Sequence, residues 1–171
     1  MAGQLVQVAT ETVTTNTNRL NLTGIDSDDV YLATYHNVQG SIDNTNFLIR
    51  LANSGTADTS ANYDYASKKL FVNTTFGTQS GTNNTSAPLG INLGNATNET
   101  AQGLIYIYNI YNASEYTFGT QEGSYQQYNG NNNHGWQGGW VHTVASSYNE
   151  FQFLFSSGDI TSGTFTLYKV V

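Results

Sequence analysis

The run Gly103-Leu-Ile-Tyr-Ile-Tyr-Asn-Ile-Tyr111 is the strongest structural signal in this chain. Apolar residues fill a strand's length and then stop at turn residues. The same unit recurs at residues 19–23, 30–38, 47–51, 88–93, 150–155 and 164–168. Clusters of Gly, Asn, Asp and Ser bound each one, the residue types that reach positive φ or bond their own backbone in turns. No segment keeps the apolar spacing of an amphipathic helix. About eight to ten short strands at this spacing predict an all-β chain, a jelly-roll-like antiparallel β-sandwich with two sheets packed face to face. No fixed-period repeat points to a propeller or solenoid.

Composition agrees. Charged residues make up 10%, against a usual ~25%. Thr and Tyr favour strands, and Asn, Gly and Ser favour turns. At 171 residues, with 38% hydrophobic and 13% aromatic residues, the chain suits one domain with a real core. Residues 1–18 form a Thr-rich N-terminal arm or edge strand, and 19–171 a single β-sandwich domain. Phe47, Ile49, Leu51, Ile105, Ile107, Phe153 and Phe155 are the expected core. Residues 63–65 and 70–72 pair or lie in a crossover. Residues 77–87 and 129–139, rich in Gly and Asn, read as loops. Gly119 and Gly123 divide 116–128 into two short strands.

Charge limits the partners. Five Lys and Arg stand against 12 Asp and Glu, a net charge of -7. Nucleic-acid binding rests on phosphate neutralisation by cations, so no nucleic-acid partner is expected. There is no polybasic patch, no apolar run of membrane-spanning length and no charged-then-apolar leader after Met1-Ala2, so no membrane role is expected. The chain has no Cys, which removes disulfides, thiol nucleophiles and Cys-based zinc sites.

Few residues offer site chemistry. His36, His134 and His142 lack close metal-ligand spacing, and Gly-x-Ser-x-Gly is absent. Asp26-Ser-Asp-Asp29 has the carboxylate density for Ca²⁺ but no EF-hand glycine or distal Glu, and reads as a solvated turn. Glu115, Glu122 and Glu150 show no pairing pattern for glycoside hydrolysis. Neither metal nor cofactor is expected, and the chain is read as a non-enzyme. The best binding feature is aromatic: Tyr125, Tyr128, His134, Trp136 and Trp140, set among Gln126, Gln127, Asn129, Asn131, Asn132 and Asn133. Flat rings with amides suit a protein interface or a glycan, and equally a plug for the end of a sandwich. Gly135 and Gly138 flank Trp136, so Trp136 is expected to project, with Trp140 in the core.

The C-terminal stretch Phe153-Leu-Phe-Ser-Ser-Gly-Asp-Ile-Thr-Ser-Gly-Thr-Phe-Thr-Leu-Tyr168 resembles a pattern found in structural proteins of tailed-bacteriophage virions. Val30-Tyr-Leu, Phe47-Leu-Ile-Arg-Leu51 with Gly55, and Ala61-Asn-Tyr-Asp-Tyr65 are similar to that group as well. This chain ends Leu-Tyr168-Lys169-Val170-Val171 where the group more often has Leu-Tyr-Gly. The resemblance implies a virion protein assembled in the host cytoplasm. It would be a capsid decoration (cement) or short head-fibre protein, forming a homotrimer beside the major capsid protein or a neighbouring tail or head protein. The alternative is a receptor- or carbohydrate-binding module of a tail fibre that meets a host surface glycan. Within the motif, Gly158 and Gly163 predict a tight bulged turn. A hairpin then sets Phe151, Phe153 and Phe155 on one face, with Phe165, Leu167 and Lys169 alternating on the partner strand.

Overall fold

The structure is a computed structural model that describes residues 3–73, 75–129 and 133–171. Met1 and Ala2, where the leader reading begins, lie outside the described residues. Among the described residues every regular element is a strand. Chain order is β1 (Leu5–Val13), β2 (Arg19–Thr23), β3 (Val30–Gly40), β4 (Thr45–Asn53), β5 (Thr56–Ala57), β6 (Tyr63–Phe71) and β7 (Phe76–Asn84). Then follow β8 (Ala87–Leu93), β9 (Ala101–Tyr108), β10 (Thr117–Gln126), β11 (Asn133–His142), β12 (Glu150–Phe155) and β13 (Ile160–Val170).

The strands form two antiparallel sheets in a jelly-roll-like sandwich. One is eight-stranded, ordered β1-β13-β3-β9-β10-β11-β6-β7. The other is five-stranded, ordered β2-β12-β4-β5, with β8 also on β4. The two-residue strand period gives each sheet one inner row of large apolar side chains. Leu20, Leu22, Phe47, Ile49, Leu51, Phe151, Phe153 and Phe155 face inward from the smaller sheet, and Tyr31, Tyr35, Ile105, Ile107, Phe165 and Leu167 from the larger. All seven residues expected in the core are buried. The sheets meet ring to ring. Phe153 lies 4.9 Å from Phe165, Phe47 5.3 Å from Tyr35, and Trp140 6.1 Å from Phe151.

The Thr-rich segment is an edge strand over Leu5–Val13, paired along its length with β13. Residues 63–65 and 70–71 fall on the single strand β6 instead of pairing or crossing over, and three further expectations need correction. First, β12 and β13 do not form a hairpin. β12 pairs with β2 and β4, and β13 pairs with β1 and β3 in the opposite sheet. The connection between them is bulged as expected, with φ of 79° at Gly158, 142° at Gly163, and register shifts between Ile160 and Thr164. That bulged connection carries the chain across the core, so Phe153 and Phe165 oppose each other through it. Second, residues 77–87 are not a loop but most of β7 and the start of β8. Third, 116–128 and 129–139 are not broken strand and loop but the long β10–β11 hairpin. Residues 130–132, including Asn131 and Asn132, lie outside the described residues.

Several glycines on these strands mark close approach of a ring to the backbone rather than a turn. Tyr35 is in register with Gly103, and Gly103 with Gly123. A Cβ at Gly123 would sit 2.6 Å from the Tyr35 hydroxyl. Trp140 is in register with Gly119, where a Cβ would overlap the indole. Tyr65 likewise crosses Gly81. Asn serves the turns and bulges, taking positive φ at Asn37, Asn44, Asn83, Asn92, Asn98 and Asn109, a region this side chain tolerates better than most.

Phe153 is fully buried between four rings. Phe153→Ala is therefore expected to cost about 3–5 kcal/mol in a denaturant titration; a loss under ~1 kcal/mol would place this ring outside the load of the core.

Candidate functional site

The five aromatic-region residues are divided by strand parity. Along β11 the even-numbered residues His134, Trp136, Trp140 and His142 face the core, and Tyr125 on β10 faces the same way, opposite His134. Trp136 is only 2% exposed, which overturns the expectation that it projects. Its flanking glycines are strand residues, so the two-residue period turns the indole inward. Trp140 is core, as expected. The His134 Nδ1 and the Tyr125 hydroxyl share a hydrogen bond of 3.2 Å, and the His134 ring meets the Phe71 ring edge-on at 4.6 Å. Burial lowers the His134 pKa, and the Lys69 charge adds to this. Burial pushes the Tyr125 hydroxyl up to about 12. Tyr128 alone remains on the surface, 40% exposed, its N–H donating to the Asn92 carbonyl. Four of the five residues thus plug the interior, and one is open to contact.

A polar cluster that the spacing of residues did not suggest joins Asp58, His142 and Tyr148. The Tyr148 hydroxyl donates to Asp58 Oδ2 at 2.7 Å, and His142 Nε2 lies 3.1 Å from the same oxygen. His142 Nδ1 lies 3.2 Å from the Val144 carbonyl. The Tyr63 hydroxyl donates to the Asp58 carbonyl and accepts the Leu51 N–H. Burial raises the Asp58 pKa. The Tyr148 and Ser60 hydrogen bonds and the His142 charge outweigh it, and the net value is lowered. Both imidazole nitrogens face oxygen acceptors within the cluster, and neither is directed to a Ser or Thr hydroxyl. The cluster ties the segment after β5 to the end of β11 and to the approach to β12. No local motif signals it, because its members lie 84 and 90 residues apart.

The carboxylates at 26–29 meet a cation from the chain itself. Lys169 Nζ lies 2.7 Å from Asp29 Oδ2 and 2.6 Å from Ser27 Oγ. The ammonium holds the Asp29 carboxyl below its usual value, and is itself raised by that partner. Glu150 accepts from Asn21 Nδ2 at 2.6 Å and from the Gly55 N–H at 3.0 Å, closing a turn. His36 is exposed on the outer row of β3. Among the described residues, no three His, Asp or Glu side chains gather as a metal-binding group.

What remains open is the outer face of the eight-stranded sheet. One cross-strand row runs Tyr168, Leu32, Tyr106, Thr120, Gly139, Ala66, Ser80. Beside it runs Tyr108, Phe118, Val141, Asp64. The small pair Gly139 and Ala66 forms the floor of a groove of about 770 Å³. Tyr108, Phe118 and Val141 wall one side, and Ser80 and Thr82 of β7 the other. Phe118 is 45% exposed. A second hollow of about 480 Å³, lined by Leu104, Tyr106, Glu122 and Gln137, shares Thr120 with the first. The signal for this face was present in the alternation of Phe118, Thr120 and Glu122. Splitting β10 at its glycines concealed it. In comparison with known proteins, the chain matches no family model, no curated protein and no solved structure.

Two outcomes follow. Trp136→Ala should lower stability by about 3–5 kcal/mol, as truncation of a buried ring does, with a melting curve as the check; unchanged melting would return Trp136 to the surface. Tyr148→Phe should weaken the protein in acid. The lowered Asp58 pKa means its contribution is present above the unfolded carboxylate value of about 4 and is lost as pH falls through the lower folded value. Removing the Tyr148 bond should therefore move the acid-unfolding midpoint to higher pH. An unshifted midpoint would show that the bond does not hold Asp58 ionised.

Proposed function

We propose that this chain is a non-enzymatic structural protein of a tailed-phage virion, a capsid decoration or short head-fibre module that assembles on the particle as an oligomer. The observation that carries the reading is the uncovered outer face of the eight-stranded sheet. It presents Tyr106, Phe118 and the Gly139–Ala66 groove, with Asp64, Glu122 and Lys68 as its few charges near the groove. A contact made there desolvates little charge, which suits a permanent assembly. The bulged crossing at Gly158–Gly163 lies within the stretch Phe153–Tyr168 that resembles phage virion proteins, and it carries the last strand to its place beside β3. The partners in this reading are the major capsid protein or a neighbouring head or tail protein.

The groove itself favours a second reading, a receptor- or carbohydrate-binding module. Phe118, Tyr108, Ser80 and Thr82 line the same groove, and flat apolar faces beside hydroxyls match a sugar ring. In this reading the glycan would be held on the outer sheet face rather than on the Tyr125–Trp140 hairpin.

Immunogold labelling of purified particles with antibody to this chain tests the proposal. Gold on the head supports a decoration or head fibre, and gold confined to fibre tips supports the receptor-binding reading. Particles without label or peptide overturn both. Phe118→Ala should leave melting within about 0.5 kcal/mol, yet reduce incorporation or adsorption by the tenfold or more that a lost aromatic anchor entails. Wild-type incorporation and adsorption would remove this face from the contact.

A further inference from the structure

The two edge strands of the eight-stranded sheet are long and carry little charge. β7, Phe-Gly-Thr-Gln-Ser-Gly-Thr-Asn-Asn, is nine residues long with no charge and no Pro. β1, Leu-Val-Gln-Val-Ala-Thr-Glu-Thr-Val, is also nine residues and carries one Glu and no Lys or Pro. Proteins that stay single blunt such edges with Lys, Pro, bulges, inward-pointing charges or very short strands, because an open row of N–H and C=O groups templates further pairing. Of these, β7 has only a register shift between Gly81 and Asn84, and β1 has a bulge and the inner-row Glu11. A bulge at Gln7/Ala9 interrupts β1, but residues 9–13 beyond it are regular.

The two edges also fit each other. All seven pairings from β1 to β7 are antiparallel. β1 and β7 therefore run in opposite directions, and a second copy that continues the sheet brings its β1 antiparallel to this β7. Matching of faces then sets the register. Glu11 lies in the inner row, opposite Phe165, and Gly77 lies in the inner row, opposite Lys69 and next but one to Trp136. Pairing Gly77 with Glu11 keeps inner rows together and puts Thr78 opposite Thr10, both on the outer row. Lys69 lies across Gly77, its Cε 2.9 Å from where a Cβ would stand. Its ammonium lies over the Phe71 ring, 5.8 Å from the centroid, on the same inner row as Gly77 and so on the row to which the pairing brings Glu11. Among the described residues neither Lys69 nor Glu11 has an ion-pair partner.

We propose that copies of this chain join head to tail by β7–β1 strand pairing, with Gly77 opposite Glu11 and a Lys69–Glu11 ion pair across the junction. The partner is a second copy, and the pairing names the junction that the assembly reading needs, on which it rests only for its biological setting. The absence of cysteine makes the test clean. Residues opposite each other on antiparallel strands have Cα atoms about 4.5–5.5 Å apart, within disulfide range. Thr10→Cys and Thr78→Cys are prepared separately, checked for native melting and oxidised alone and mixed. The expected result is covalent dimer in the mixture and little in either variant alone, with covalent chains or rings from the double variant. Lys69→Glu should lower the cross-linked fraction severalfold, and Lys69→Glu with Glu11→Lys should restore it.

Cross-linking of either single variant alone, as strongly as in the mixture, would overturn the head-to-tail arrangement in favour of a two-fold edge pairing. Oligomers in light scattering without a Thr10–Thr78 cross-link would overturn the junction and leave the assembly reading standing. A monomer at all concentrations, with no cross-link, would overturn the junction and the self-assembly part of that reading. An immunogold result without label, alongside a positive cross-link, would remove the virion setting and keep the junction.

Discussion

Aromatic rings seated on glycine backbones hold this sandwich together. Tyr35 covers Gly103 and Gly123, Trp140 covers Gly119, and Tyr65 covers Gly81. Each pairing brings a large ring close against a glycine of a nearby strand, where an added Cβ would crowd it. Rings so placed reach the opposite sheet: Tyr35 meets Phe47, and Trp140 stacks on Phe151. The hydrophobic gain of burying these surfaces depends on close packing, since a small gap forfeits much of the contact energy. The glycines weaken their own strands by lost entropy and lost side-chain contact. The rings they admit offset that loss.

The same arrangement shapes the outer surface. Gly139 faces outward beside Ala66, and the shortage of side-chain bulk there leaves the groove that Phe118 and Tyr108 border. One strand pair therefore supplies a packed interior through Trp136 and Trp140 and an open exterior through Gly139 and Val141. The titratable groups that interrupt this pattern are bonded to one another. Asp58, His142 and Tyr148 brace the connections at one end of the sandwich, and Lys169 neutralises Asp29 and bonds Ser27 at the sheet's C-terminal strand.

Much of the fold was legible in the residue order, and the reasons for the misses are physical. Phe47, Ile49, Leu51, Phe153 and Phe155 declare themselves by two-residue alternation, and the bulged turn by Gly158 and Gly163. What alternation does not carry is the sheet to which each strand belongs. β12 and β13 both alternate and are joined by a short turn, yet they face each other across the core. Trp136 was misplaced because Gly135 and Gly138 look like loop residues in a local window. Their strand role depends on Leu70 and Ser67 in β6, more than sixty residues earlier in the chain, whose side chains crowd the positions where their Cβ atoms would be. The Asp58–His142–Tyr148 cluster was hidden for the same reason, since its members meet only through the sheet topology.

The most direct test of this account is a double-mutant cycle between Gly119 and Trp140. In the wild-type background, Gly119→Ala should destabilise by about 1–3 kcal/mol through overpacking. With Trp140→Leu in place, the indole is gone, and the added methyl group should cost far less. The account predicts a coupling of about 1 kcal/mol or more between the two sites. Additivity within about 0.5 kcal/mol would mean the sites act independently, and would contradict the claim that the glycine exists to seat the ring.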